Sequence, residues 1–308
     1  MRLPWQRSPG KVQGWLAVSL DPSRLAYVHA QFSGAGKPKV LRYGALEADA
    51  SHPDRVAKEL HAERFQCVTL LEPGQFQVLV IEAPKVPPNE LKNATRWRIK
   101  DMIDYHIDDA TVDLLDIPPE EGDSRAHSMF AVSAHNDVIQ ACVRKFEEAK
   151  IPLGAIDIPE TAQRNIGTLY ELGDRGVAVL HLEQDSSLLT VNYRKELYLS
   201  RRMDLGLSSL GNAAAREDAF NRITLELQRT LDHFDRQFRY ASIAKLLLAP
   251  MPQDVGLAAH LAANLSLPVA QIDLGEVMDF DGGAADAGTQ WRLFHLFGGS
   301  LRHEAKVL

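Results

Sequence analysis

Between residues 101 and 109, Asp101, Asp104, His106, Asp108 and Asp109 put four carboxylates and an imidazole on one predicted helix end and the loop that follows it. Several oxygen ligands from one loop is what a hard divalent cation needs. The run lacks the EF-hand spacing and its turn glycine, so it reads as a solvated helix terminus, with no metal expected. Eleven histidines are present, yet none falls in an HExxH or other paired spacing. No GxSxG marks a nucleophile, and no catalytic residue is assigned. The run SGAGK at 33–37 has the glycines and lysine of a phosphate loop but no following Ser/Thr and helix, so it reads as a hairpin turn. Cys67 (FQCVTLL) and Cys142 (VIQACVRKF) lie in apolar segments outside any CxxC arrangement and read as core residues of a reduced, cytosolic protein.

The elements that must position any site are repeated. Residues 15–43 and 177–203 both read as apolar strand, polar turn, alternating strand, second turn and third strand. A chain that starts twice in the same way predicts two related lobes facing a cleft. At 308 residues with 45% hydrophobic content, two cores are within reach. After the first repeat, 53–63 reads as a helix and 66–82 as two strands around EPGQ. A distinct block opens at Ala83-Pro84, with Asn89 capping a helix over about 90–104 that turns Leu91, Ala94, Ile99, Met102 and Ile103 to one side. A strand near 111–117, the acidic loop PPEEGDS, the strand MFAVSA and a helix carrying Ile139, Cys142, Phe146 and Ala149 complete an inserted α/β module.

The second repeat leads into the clearest helix, 216–238, where Phe220, Ile223, Leu227, Leu231, Phe234 and Phe238 recur at steps of three or four. Arg222, Glu226 and Arg229 sit on its polar side at ion-pair spacing. The strand KLLLAP, an Ala-rich helix, the strand PVAQIDL, a flexible loop DFDGGAADAG and a final helix near 289–304 follow. A net charge of −7 argues against a nucleic-acid binder. The short basic clusters Arg96, Arg98, Lys100 and Arg201, Arg202 read as solvated positions or partner contacts. The opening MRLPWQRSPGK has no apolar run behind its charges, which predicts neither signal peptide nor membrane span and leaves Pro4 and Trp5 free to touch a membrane surface. The longest uncharged stretch, 255–272, contains His260, Asn264, Ser266 and Pro268 and reads as a soluble helix and strand.

Four segments carry a resemblance: ELKNATRWRIKDMIDYHIDDATVDLLDIP, VSAHNDVIQACVRKFEEAKIPLGAIDIPETAQRNI, ELQRTLDHFDRQF and the closing FGGSLR. They resemble the PilM group of actin-like pilus-assembly proteins, and within it the MshI proteins of mannose-sensitive haemagglutinin (MSHA) pilus biogenesis. The cytoplasmic part of the type II secretion protein GspL is a more distant likeness. The resemblance implies an α/β, actin-like or ribonuclease H-like, two-lobed fold. Residues 1–82 and 156–175 would form the first lobe, 83–155 the inserted subdomain and 176–308 the second lobe.

In nucleotide-binding members of that superfamily the first turn resembles DxGSS, whose glycine lets backbone N–H groups reach phosphate. Here Ser19, Leu20, Asp21, Pro22 and Ser23 stand in its place. Asp21 puts a carboxylate where glycine is expected, and Pro22 has no N–H to donate. At the second turn His181, Leu182 and Glu183 replace a DxG, with Asp185 and Ser186 following, and Ala249-Pro250 replaces the adenosine-binding glycines. Ser23 and Ser186 are the remaining side-chain donors. The expectation is a degenerate nucleotide site with no cofactor. The resemblance then implies a cytoplasmic scaffold, peripheral to the inner membrane, that holds the N-terminal segment of a PilN-like or MshJ-like membrane protein. The expected groove lies between the first lobe and the insert, bordered by the helix with Trp97 and Met102. A homodimer is compatible with this, as are two other readings: an active Mg-ATP switch ATPase, and a sugar-kinase-like enzyme, the latter disfavoured by the same damaged turns.

Overall fold

The computed structural model describes residues 13–21, 24–32, 36–47, 54–120, 127–212 and 214–302. Pro4, Trp5, Pro22, Ser23, residues 33–35 of the SGAGK turn and most of the acidic loop lie outside them.

The first repeat is the antiparallel meander β1 (Trp15–Asp21), β2 (Arg24–Gln31) and β3 (Lys39–Glu47). Helix α1 (Asp54–Leu60) leads to β4 (Gln66–Leu70), which pairs parallel to β1. The next strand, β5 (Phe76–Glu82), does not pair with β4. It joins β6 (Ala110–Asp116) and β7 (Ser128–His135) in a separate three-stranded sheet, with α2 (Pro88–Ile99) between β5 and β6. The EPGQ turn is therefore a crossing between sheets, and the insert's sheet begins at Phe76, ahead of the Ala83-Pro84 punctuation. After α3 (Asn136–Glu148) the chain returns as β8 (Leu153–Asp157), parallel to β4.

Helix α4 (Pro159–Thr168) opens the passage to the second repeat, β9 (Arg175–Leu182), β10 (Ser187–Tyr193) and β11 (Glu196–Met203), again an antiparallel meander. The long α5 (Arg216–Gln237) leads to β12 (Ser242–Leu248), parallel to β9, and α6 (Leu257–Asn264) to β13 (Val269–Gln271), parallel to β12. The two main sheets thus share one order, third-second-first-fourth-fifth strand, which is the ribonuclease H-like order twice over and gives the actin-like fold. The closing segment is α7 (Leu274–Val277), β14 (Asp279–Phe280), α8 (Ala287–Arg292) and α9 (Phe294–Ser300).

Apolar periodicity accounts for most of the packing. Phe220, Ile223, Leu227, Phe234 and Phe238 of the α5 segment are buried against the second sheet, with Leu231 half-buried. On the polar side Glu226 accepts from Arg201 and Arg229. Helix α2 ends at Ile99, earlier than its spacing predicts, because Met102 N–H bonds to the Ile99 carbonyl at 2.8 Å in a tighter turn. Ile99 and Ile103 are buried, whereas Met102 is turned to solvent. The expected final helix is two short ones that meet at Leu293. Part of the expected flexible loop is strand: Asp279 and Asp281 N–H groups bond to the Pro38 and Val40 carbonyls, each at 2.9 Å, so β14 extends the first sheet beside β3.

The lobes interlock. Helix α4, which follows a first-sheet strand, packs on β9, β10 and β11, while α9, from the end of the second lobe, packs on β1, β2 and β4. One apolar cluster therefore contains Ala17, Val28 and Val68 of the first sheet together with Val179, Leu247, Phe294 and Phe297. The helices cross at Gly298, where a Cβ would stand 2.0 Å from the Ala162 carbonyl oxygen, so only glycine allows the approach.

Candidate cleft and peptide groove

The end of β1 with the start of β2, and the end of β9 with the turn that follows it, line a cavity of about 410 Å³. Ser19, Asp21, Arg24, Glu72, His181 and Glu183 are among its walls, and Trp291, Arg292 and His295 of α8 and α9 close one side. Both repeated meanders thus contribute their first-strand ends to one cleft, with Pro22 and Ser23 of the first turn outside the described residues. Asp21 ends β1 opposite Arg24, exposed, and Ser19 is half-buried. At the second turn Glu183 N–H bonds to the Ser186 carbonyl at 2.9 Å, and Ser186 Oγ donates to Glu183 Oε2 at 2.7 Å. Ser186 is thereby committed to the turn's own carboxylate. Asp185 is exposed.

Behind the turn lies a buried polar layer. Glu160, only 1% exposed, accepts from Arg202 Nε at 3.1 Å, and Arg202 Nη1 stands 3.5 Å from Glu183 Oε2. Burial pushes the Glu160 carboxyl up, against the attraction of Arg202. His181 is stacked on Phe294 with ring centroids 4.7 Å apart and meets His295 edge-on at 4.6 Å. Burial drives His181 down to about 4, against the opposing pull of Glu183 and the nearby Trp291 backbone. His295 is lowered well below its ordinary value, first by burial and then by His181 and Arg202. Both imidazoles are neutral at physiological pH. Trp291 Nε1 donates to the Leu182 carbonyl at 2.8 Å, holding α8 against the end of β9.

Ala249 and Pro250 are buried beside a separate hollow of about 550 Å³ that Met251, Asp273 and Gln290 also border. Ala249 N–H is spent on the Leu180 carbonyl at 2.8 Å.

A groove of about 410 Å³ separates the first sheet from α3. Leu20 and Leu70 line one wall; Val138, Ala141, Cys142 and Lys145 line the other. Cys142 is half-buried here, not a full core residue, and burial raises its thiol. Trp97 and Met102 do not line this groove. They are exposed on the insert, Trp97 at 71%, with Lys100 Nζ 6.0 Å from the indole centroid. The acidic run of 101–109 does not converge: Asp104 accepts from Gln77 at 2.7 Å, and His106 accepts from Asp108 N–H at 3.3 Å as a local cap. Among the described residues one cluster of three brings its ligand atoms within 4.8 Å of one another, His181, Glu183 and His295. His181 and Glu183 are legible in the sequence as replacements in the second turn. His295, in WRLFHLFGGS, carried no spacing signal, because its partners are reached only through the fold.

No protein-family model matches the chain, and no curated protein matches it. Solved structures do. A chain of a "PilM-PilN type IV pilus biogenesis complex" superposes with a TM-score of 0.70 at 19% identity, covering 94% of this chain and 98% of that one. The cytoplasmic domain of EpsL, an inner membrane component of the type II secretion system of Vibrio cholerae, superposes with a TM-score of 0.52 at 12% identity, covering 96% and 98%. The fold is that of the PilM-like, actin-like structures, over nearly the whole chain.

Proposed function

We propose that this protein is a non-catalytic actin-fold scaffold of the PilM type, closest in role to MshI, serving MSHA or type IV-like pilus biogenesis on the cytoplasmic face of the inner membrane. The observation that carries the reading is the cleft between the two turns. Where the superfamily presents backbone donors to phosphate, this cleft presents the carboxylates of Asp21, Glu72 and Glu183. A carboxylate about 4 Å from a phosphate oxygen is repelled by roughly 4 kcal/mol per unit charge at an effective dielectric of 20, which lowers affinity by orders of magnitude. Fold similarity to a PilM-PilN complex supports a PilN-like partner, for which an MshJ-like protein is the proposed counterpart. The groove beside α3 is the place for its cytoplasmic segment: an apolar floor with Lys145 and Asp137 at the rim suits a short peptide. Trp97 and Met102 offer a second apolar contact on the insert.

Arg24 and Arg292 also line the cleft, and they favour the second reading, a switch that binds Mg-ATP. Parallel calorimetric titrations separate the two. The scaffold reading expects saturable binding of the partner's N-terminal peptide, weakened at least tenfold by Ala141→Arg, and no heat from Mg-ATP at about millimolar concentration. Micromolar ATP binding overturns it in favour of the switch. Peptide binding untouched by Ala141→Arg removes the α3 groove.

A further inference from the structure

Two features of the second turn remain unexplained by a scaffold that has lost its nucleotide. His181 is only 4% exposed, yet among the described residues neither of its ring nitrogens makes a hydrogen bond of ordinary geometry, although the Trp291 backbone lies near enough to raise its pKa. A buried polar atom left unpaired is costly, so a ring nitrogen with a lone pair and no donor opposite it calls for a ligand. The second feature is the facing of acceptors. Gln163 Nε2 donates to the Val179 carbonyl at 2.8 Å, which turns its Oε1 towards His295 Nε2 at 3.4 Å. The proton of the neutral His295 ring therefore sits on Nε2, and Nδ1 presents a lone pair. That lone pair looks at Glu183 Oε1, another acceptor, across 4.0 Å. Two acceptors so placed repel each other unless a cation, or the two hydrogens of a bridging water, stand between them.

We propose that His181, Glu183 and His295 bind one divalent transition-metal ion of the zinc class. Two imidazoles and a carboxylate are a donor set of that class, and three protein ligands leave a fourth position open. Here the open side is the cleft, which supplies the entry path. The surroundings have the form of an outer shell. Gln163 fixes the His295 tautomer, while Ser186 and Arg202 hold Glu183 Oε2 and leave Oε1 free. Tetrahedral zinc with bonds of about 2.0–2.2 Å places its ligand atoms about 3.4 Å apart, so side-chain rotations of about 1 Å close the present cluster onto an ion. Arg202 is the unfavourable neighbour, and its charge is already offset by Glu160. The ion would tie the turn after β9 to α9, and α9 packs on the first sheet, so the metal would pin the two lobes together across the cleft.

The test is direct titration of the full chain, stripped with a chelator and dialysed, with Zn²⁺ by calorimetry and with Co²⁺ by visible absorption. The expected result is one ion per chain, with Co²⁺ giving the intense bands of a four-coordinate site. His295→Gln and Glu183→Gln are each expected to weaken binding by at least about 100-fold, the upper end of the loss seen for outer-shell partners alone. His106→Gln, on the exposed 101–109 run, is expected to bind as the parent does. Circular dichroism confirms that each variant is folded, and because Glu183 is only half-buried, its amide variant stands if the histidine variant fails. No stoichiometric binding, or equal binding by all three variants, overturns the proposal. Peptide titration at the α3 groove neither requires nor reports the metal, so this inference and the scaffold reading fail independently.

Discussion

Acid should loosen the second turn through its buried imidazoles, and His181 gives the size of the effect. Its folded pKa is depressed from 6.5 to about 4 by burial, so between those values the unfolded chain holds a proton that the folded chain refuses. The stability contributed by keeping the ring neutral is complete above about pH 6.5 and is lost as pH falls towards 4. At about pH 5 the loss is roughly 1.4 kcal/mol per unit times 1.5 units, or about 2 kcal/mol for His181 alone. His295 is depressed as well and adds in the same direction. Glu160, Glu171 and Glu196 have raised carboxyls and work oppositely, gaining stability as pH falls. The measurement that isolates the imidazole is therefore a difference. Urea unfolding of the chelator-treated protein and of His181→Phe, which keeps an aromatic ring on Phe294, is compared at about pH 7.5 and about pH 5. The parent should lose about 2 kcal/mol more than the variant over that interval. Equal losses, within about 0.5 kcal/mol, would mean that the imidazole is not held neutral, and the argument from its burial would fail.

Other outcomes follow from the packing. Leu227→Ala removes a fully buried side chain from the α5 stripe and should cost about 3–5 kcal/mol in the same assay, with the urea m-value unchanged. Gly298→Ala brings a methyl against the Ala162 carbonyl, backbone against which no rotamer can yield, and should cost at least about 2 kcal/mol despite the better helix propensity of alanine. Arg202→Met leaves the Glu160 carboxylate buried and unpaired; the loss should be about 3–5 kcal/mol near neutral pH and should shrink in acid as Glu160 takes up a proton.

The fold was legible where information is local. Meander strands, the α5 stripe and the insert's helices declare themselves through periodicities of two and 3.6, so their existence and type follow from neighbouring residues. The pairing of β5 did not, since a strand's partner is chosen by what lies across the sheet, and Phe76–Glu82 reads the same beside β4 or β7. Helical spacing carried past Ile99 puts Met102 on the apolar side, whereas the turn tightens there and Met102 faces solvent. The two altered turns were visible as substitutions against a pattern, but the polar layer behind them was not. Glu160 and Gln163 come from α4, Arg202 from β11 and His295 from α9, and the Gln163–His295 contact spans 132 residues. No motif of fixed spacing can encode such a cluster, so only the crossing of α4 and α9 brings it to light.

That crossing also bears on the choice between scaffold and switch. A nucleotide-driven switch needs two packings of similar free energy, with an element that slides or hinges between them. The two sheets here share one apolar cluster, so parting them would expose Val179, Leu247, Phe294 and Phe297 together with Ala17 and Val68. At roughly 25 cal/mol per Å² of apolar surface, even a few hundred Å² costs several kcal/mol, which nucleotide binding would have to supply. Approach along the helix crossing is blocked as well, since Gly298 already touches the Ala162 backbone with no side chain between them. Each lobe's helix is a wall of the other lobe's core, and that framing is a physical ground on which the scaffold is proposed ahead of a hinge for ATP.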